Sequence, residues 1–124
     1  MNDSVTRPQI WRAGFCAVLL SGCVSVPPPT DQMSSAQAGV ADAISSGATE
    51  LAPMEIKRAQ TKLNDASAAM AAKEYVRARR LSEQAELDAK LAKTKTNFVK
   101  AQREVAELEQ NIRALQGEIN RGAP

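Results

Sequence analysis

The chain has 124 residues, with 16 Lys and Arg, 14 Asp and Glu, no His, two Cys and only 3% aromatic residues. This length allows one domain at most. From residue 23 onward there are 20 Ala but only 18 Leu, Ile, Val and Phe together, too few large side chains for a thick globular core. Ala with interspersed Glu, Lys and Arg favours long helices packed closely side by side. We therefore expect an all-α protein.

Residues 1–22 have the features of a bacterial lipoprotein signal peptide. A positively charged start precedes an apolar run at residues 13–20, much shorter than the about 20 residues that span a bilayer. The run ends in Leu20-Ser21-Gly22-Cys23, which resembles the lipobox, where a large aliphatic residue and two small residues precede the modified cysteine. The resemblance implies cleavage after Gly22 and lipidation of Cys23.

The two cysteines agree with this interpretation. Cys16 would leave with the signal peptide and Cys23 would carry lipid, so the mature chain would bring no free thiol into the oxidising periplasm. In Gram-negative lipoproteins an Asp after the modified cysteine favours retention in the inner membrane, and Val24 stands there instead. The resemblance thus implies a lipid anchor on the periplasmic face of the cell outer membrane. If Cys23 is unmodified, the alternative is a cytosolic coiled coil.

Residues 23–30 are expected to form the lipidated cysteine and a Pro-rich tether, followed by an alanine-rich helical domain over residues 31–121. Three consecutive prolines stiffen the tether. Apolar steps of three and four predict a first helix over residues 31–46, with Thr30 or Asp31 as its N-cap. Its apolar stripe would comprise Met33, Ala36, Val40 and Ala43.

A loop is expected over residues 47–52, because the residue before a proline avoids the helical conformation. Pro53 then begins the second helix. Its apolar positions would be Ile56, Ala59, Leu63, Ala66 and Met70. We expect a turn near Lys73 and Glu74, although no Gly or Pro lies there, and one continuous helix over residues 53–116 is the alternative.

A third helix is predicted from Tyr75 to about Asn120, roughly 70 Å long. The apolar positions of its first half would be Ala78, Leu81, Ala85, Leu87 and Leu91. The second half alternates steps of three and four without a break, which is typical of a coiled-coil seam. The seam comprises Phe98, Ala101, Val105, Leu108, Ile112, Leu115 and Ile119.

The expected architecture is an elongated antiparallel helical hairpin or three-helix, coiled-coil-like arrangement with one long C-terminal helix. Because the two shorter helices cannot cover so long a partner, part of the seam should protrude. We expect it to pair with the same segment of another copy or with another envelope protein.

Several short stretches of the chain resemble the alanine-rich helical family known as domain-of-unknown-function family 4398. The resemblance covers roughly residues 36–115 and is carried by Gly47-Ala48, Ala52-Pro53, Ala59, Lys62-Leu63, Ala66, Tyr75, Ala78, residues 81–88 and Leu91-Ala92. It implies an envelope lipoprotein without catalytic residues. Some members continue into a peptidoglycan-binding domain; because the sequence ends at Pro124, we expect no such domain and no dedicated peptidoglycan binding.

The composition argues against an enzyme. Without His and with no unmodified Cys, the usual metal ligands and nucleophile–base pairs are missing, and no phosphate-binding glycine loop occurs. Carboxylates such as Glu86 and Glu109 lie four residues before a base, the usual spacing of exposed helix pairs. We expect no catalytic site, cofactor or metal.

Charge is unevenly distributed along the third helix. Residues 73–103 contain nine basic and four acidic residues, whereas residues 104–121 contain two basic and four acidic ones. Nucleic acid is not expected in this compartment, and peptidoglycan carboxylates or anionic lipids are the accessible polyanions; a solvated helix face is the simpler interpretation. The sequence therefore predicts a structural or protein-interaction module, with a module that binds hydrophobic ligands or envelope polymers as the alternative.

Overall fold

The computed structural model describes residues 26–122, which contain four helices and no strand. These are α1 (Thr30–Ser45), α2 (Ala48–Leu51), α3 (Pro53–Ala71) and α4 (Tyr75–Gly122). α3 and α4 form an antiparallel hairpin, and α1 lies along α4 in the same direction as α4. The expected all-α class and the long C-terminal helix are confirmed.

Small residues form the core of this three-helix arrangement. Alanines at the helix contacts are buried, and the largest fully buried side chains are Thr96 and Ser82. Both hydroxyls donate to the carbonyl one turn earlier, at 2.8 Å to Ala92 O and Ala78 O respectively, so their burial leaves no donor without an acceptor. Short side chains let the helices approach closely, and the fold has close contacts rather than a thick interior.

The first helix begins one residue earlier than predicted, and its predicted N-cap is wrong. α1 starts at Thr30 and is preceded by Pro29, with no side-chain capping bond. Pro29 has φ −81° and ψ 59°, and its carbonyl accepts a bond from Met33 N at 3.1 Å. Proline has no side-chain oxygen, so at this position it cannot accept a capping bond. Of the predicted stripe, Met33, Ala36, Val40 and Ala43 are all buried.

The segment predicted as a loop over residues 47–52 contains the short helix α2. Gly47 ends α1 in the left-handed conformation, with φ 91°, and its carbonyl accepts bonds from Glu50 N and Leu51 N at 3.2 Å. Ala48 and Ala52 are buried, which holds this turn against the core. Ala52 is non-helical, as expected before Pro53, and Pro53 begins α3.

The turn between α3 and α4 is confirmed at the predicted place. Lys73 adopts φ 59°, and its N–H donates to Met70 O at 3.0 Å. Glu74 N donates to Ala69 O at 2.9 Å, so the two bonds form a Schellman motif with a lysine where glycine is usual. In α3, Ala69 is buried and the predicted Met70 is half-buried.

Candidate protein-interaction surface on the long helix

The predicted lipobox residues Leu20, Ser21, Gly22 and Cys23 lie outside the described residues, and lipidation stays a prediction. The described chain begins at Val26, beside the α3–α4 turn. There Val26, Tyr75 and Arg80 line an open depression of about 550 Å³, and Pro29 is buried. Val26 and Pro29 therefore lie against the end of the hairpin, and α4 runs away from the point where the chain enters the fold.

All seven residues of the predicted coiled-coil seam are exposed. The six larger ones have exposed fractions between 54%, at Ile112, and 70%, at Ile119, and Ala101 is exposed as well. From Ala101 onward the reason is length, because the contacts of α1 with α4 reach only to Lys100, whose ammonium donates to Ser46 O at the end of α1 at 2.8 Å. Phe98 lies before this limit and is exposed because it faces away from the other helices. We call residues 75–100 the packed part of α4 and residues 101–122 the projecting part.

The apolar seam also begins earlier than predicted. Leu87 and Leu91, expected among the apolar positions of the packed part, are 65% and 50% exposed, so they do not join the core. Together with Thr94 they continue the seam toward the N-terminus with the same alternation of steps. We call the whole series the exposed stripe; it comprises Leu87, Leu91, Thr94, Phe98, Ala101, Val105, Leu108, Ile112, Leu115 and Ile119.

A second stripe, with the same period, makes the internal contacts. The buried stripe comprises Ala78, Ser82, Ala85, Ala89, Ala92 and Thr96. Each of Ala85, Ala89, Ala92 and Thr96 lies two positions before a member of the exposed stripe, which corresponds to about 200° around an α-helix. The two stripes therefore occupy opposite faces. Sequence reasoning missed Ser82, Ala89, Ala92 and Thr96, and the signal that could have found them is the unbroken series of small residues.

Much of the basic run in α4 is used inside the fold. Lys93 Nζ lies 2.7 Å from Asp42 Oδ2 of α1, and Lys95 Nζ lies 2.7 Å from Glu55 Oε1 of α3. Lys90 pairs with Glu86 along α4 itself at 2.6 Å. These contacts, with the Lys100 bond to α1, engage four of the five bases in residues 90–103.

The Lys95 contact also affects the titration of its partner. The hydrogen bond from the Lys95 ammonium holds the pKa of the Glu55 carboxyl below its ordinary value of 4.5. Glu55 is half-buried against α4. This pair joins α3 to α4 near the end of the packed part, so its role is to hold the bundle together.

The exposed stripe offers an apolar surface rather than a reaction centre. A depression of about 470 Å³ lies on the outside of α4 between Phe98, Ala101 and Val105 and is open to solvent. Within residues 26–122 no group of three or more Cys, Asp or Glu side chains could hold a metal ion. None of the described helices combines the length and the apolar character needed to cross a membrane.

The fold and much of the sequence match known proteins of uncharacterised role. The profile of a domain of unknown function, DUF4398, matches residues 31–108. The crystal structure of a DUF4398 family protein from Pseudomonas aeruginosa PAO1 is similar to this chain, with a TM-score of 0.73 and 36% sequence identity; the match covers 78% of this chain and 100% of that one. The search of the curated proteins found no match. The chain thus belongs to the DUF4398 family of helical proteins.

Proposed function

We propose that this protein is an outer-membrane-anchored periplasmic lipoprotein whose helical body acts as a structural, protein-binding module, with α4 as the binding element. The exposed stripe carries the proposal. It sets eight large apolar side chains that are at least half exposed, from Leu87 to Ile119, along one face of one helix. Each such side chain contributes about 1.5–3 kcal/mol when fully buried, so leaving all of them in water is costly.

The projecting part of α4 strengthens this proposal. Almost all of residues 101–122 are exposed, so in a single copy they form a helix without tertiary support. In proteins most helical stability comes from tertiary packing of an amphipathic face, which this part of α4 lacks in a single copy. A partner helix on the exposed stripe would supply the burial that an amphipathic helix normally obtains from its own fold.

A protein partner suits the surface better than an anionic polymer. Since Lys90, Lys93, Lys95 and Lys100 are engaged within the fold, the basic run offers less charge to peptidoglycan or lipid phosphates than its sequence suggests. The apolar depression on the stripe is open on one side, whereas sites for small hydrophobic ligands are usually enclosed. The proposal is therefore non-enzymatic and assigns no cofactor.

The anchoring half of the proposal rests on the lipobox and on the position of residue 26. The chain enters the fold at the α3–α4 turn, and α4 extends roughly 70 Å from there, so an anchor at Cys23 would leave the exposed stripe accessible in the periplasm. Labelled palmitate should enter the wild-type chain and not the Cys23→Ser variant. Wild-type chain should stay in the membrane fraction after a high-salt wash. Equal processing and membrane binding of Cys23→Ser would contradict the anchor.

A photo-crosslinking amino acid at Ile112 tests the binding surface in intact cells. The same amino acid at Gln110 is the matched control, because Gln110 is exposed on the same turn but lies off the stripe. We expect protein adducts from position 112 and few from position 110. Adducts of equal yield from both positions, or none from either, would contradict a binding role for the stripe.

A further inference from the structure

The length and residue order of the exposed stripe determine how it could pair with the same stripe of a second copy. From Leu87 to Ile119 it extends about 48 Å along α4, and its positions follow the a and d spacing of a coiled coil. In this spacing Phe98, Val105 and Ile112 occupy a positions, and Ala101 and Leu108 occupy d positions. Two orientations of a second α4 can therefore be compared directly.

A parallel, in-register pair would match each residue with itself. Phe98 would face Phe98 and Ala101 would face Ala101, so one layer would be crowded and the next nearly empty, although uniform layers pack best. The flanking positions would place Lys90 near Lys95 and Glu104 near Glu109, and like charges would meet twice in each case. Parallel pairs are favoured by β-branched residues at a positions, here Val105, Ile112 and Ile119. The uneven layers and the like-charge contacts both oppose this preference.

An antiparallel pair centred near Arg103 removes the crowding. With Leu87 of one copy level with Ile119 of the other, every position of the exposed stripe meets another position of the stripe. The smaller residues then face larger ones: Ala101 meets Val105, and Thr94 meets Ile112. Phe98 meets Leu108 instead of a second Phe98. The layers thus differ less in volume than they would in the parallel pair, where Phe98 faces Phe98 and Ala101 faces Ala101, and more uniform layers pack more closely.

The same register brings opposite charges together at its edges. Lys90 of one copy lies beside Glu118 of the other, a contact that occurs twice by symmetry. Lys95 lies level with Glu109, but it stays paired with Glu55 of its own chain and adds no contact between the copies. Lys90 pairs with Glu86 on its own helix, but 66% of its side chain is accessible, so its ammonium can exchange Glu86 for Glu118 of a second copy. One like-charge contact remains, between the two Glu104 side chains at the centre. The balance of the edge charges therefore favours the antiparallel pair.

The rest of the fold leaves room for this pairing. α1 and α3 contact α4 through the buried stripe, about 200° away from the exposed stripe, and the projecting part of each copy would lie along the open face of the packed part of the other. The ion pairs with α1 and α3, through Lys93 and Asp88, lie off the stripe as well. A second α4 can thus approach without displacing either helix.

We infer that α4 binds α4 of a second copy in antiparallel orientation through the exposed stripe, with Leu87 level with Ile119. This inference deepens the proposed function, on which it rests, by naming a second copy as the partner. The two α3–α4 turns would then lie at opposite ends of the dimer, roughly 90 Å apart. Two lipid anchors at such a separation fit a dimer that lies along a membrane surface.

Single-cysteine variants of the full-length, processed chain in mild detergent test the orientation. Leu91→Cys and Leu115→Cys, one of them carrying a size tag, are treated with a short bis-maleimide, separately and mixed. The antiparallel register places Leu91 of one copy level with Leu115 of the other, so only the mixture should yield a covalent dimer. The parent chain is the control, and linking in the parent would show an unmodified Cys23, which concerns the anchor and not the pairing.

Charge exchange provides a second test that does not depend on cysteines. In sedimentation experiments Glu118→Lys should weaken the dimer about two- to tenfold, because it sets a second positive charge against Lys90 in two symmetric contacts. Lys90→Glu should weaken it similarly, and the double variant should recover most of the affinity. In a parallel pair Lys90→Glu would instead strengthen binding, since it would face Lys95.

The outcomes separate the two proposals. Covalent dimers from each cysteine variant alone, or a strengthening by Lys90→Glu, would overturn the antiparallel pairing. A monomeric chain with no crosslink in any sample would overturn pairing with a second copy altogether. In that case adducts of Ile112 with a different protein in cells would leave the proposed binding function standing, and a lack of adducts would remove both.

Discussion

The buried and exposed stripes of α4 have the same spacing of residues, but one packs inside the chain and the other faces solvent. The buried stripe, made of Ala, Ser and Thr, lies against α1 and α3, whereas the exposed stripe, made mostly of Leu, Ile, Val and Phe, faces water. Hydrophobicity alone would predict the reverse assignment. The difference shows that close approach between helices selects small side chains for internal contacts, and that the larger side chains are left for contacts outside the chain.

The same contrast separates the packed and projecting parts of the helix. The packed part carries both the buried and the exposed stripe, and the buried stripe stabilises it through contacts with α1 and α3. Beyond Lys100 only the exposed stripe continues, because neither α1 nor α3 reaches further. The projecting part therefore depends on an external partner to a degree that the packed part does not.

Breaking the exposed stripe should have the largest effect. Leu108→Asp combined with Ile112→Asp puts two charges where apolar burial of about 1.5–3 kcal/mol per side chain is expected, at four places in a symmetric pair. We expect association to fall at least 100-fold, with loss of helicity confined to the projecting part. Sedimentation and circular dichroism of the full-length chain measure the two effects.

The matched control for that experiment is Gln110→Asp. It adds a charge to the same turns but off the stripe, and residue 110 is exposed in the single chain. Association should be unchanged in this control. If Gln110→Asp weakens association as much as the double variant does, a general effect of charge on the helix is responsible, and the stripe is not an interface.

Crowding the buried stripe should have the next largest effect. Ala92 is fully buried between the helices, and Ala92→Leu adds a branched side chain where the backbones are close. Overpacking of this kind costs about 1–3 kcal/mol. Ala106→Leu, at an exposed position of the projecting part, should leave the unfolding transition within about 0.5 kcal/mol. Equal melting curves for the two variants would show that the buried stripe is not closely packed.

The sequence predicted the helices well because their apolar periodicity is strong. It predicted that part of α4 protrudes because helix length follows from residue number, and the two shorter helices are too short to cover α4. It misassigned Leu87 and Leu91 because both stripes have steps of three and four, and a preference for large apolar residues selected the wrong one. It also missed α2, which depends on tertiary burial of Ala48 more than on local propensity. The partner and the role could not be predicted, because the apolar residues of the exposed stripe indicate that another helix binds there but contain no group that identifies which one.

A substitution in the α3–α4 turn, just before the buried stripe begins, should stabilise the fold. Lys73 occupies the left-handed position of the Schellman motif, with φ 59°, where a side chain costs about 1–2 kcal/mol relative to glycine. Lys73→Gly should stabilise the fold by about 1 kcal/mol, less than the strain because glycine also gains entropy in the unfolded chain. Thermal unfolding provides the measurement. A lower melting temperature would show that the lysine side chain, and not its backbone, stabilises the turn.

The smallest effect concerns the ion pair between α3 and the packed part, which has no counterpart on the projecting part. Because the pKa of Glu55 is lowered in the folded chain from its ordinary 4.5, the Glu55–Lys95 contact contributes stability above pH 4.5 that is lost as the pH falls through the lowered value. Glu55→Gln should therefore melt earlier than the wild type at pH 7, and the difference should disappear once the pH lies below the lowered pKa of Glu55. Lys95→Met removes the other partner and should abolish the same pH dependence. A difference between wild type and Glu55→Gln that persists at low pH would mean that Glu55 stabilises the bundle by packing and not by its charge.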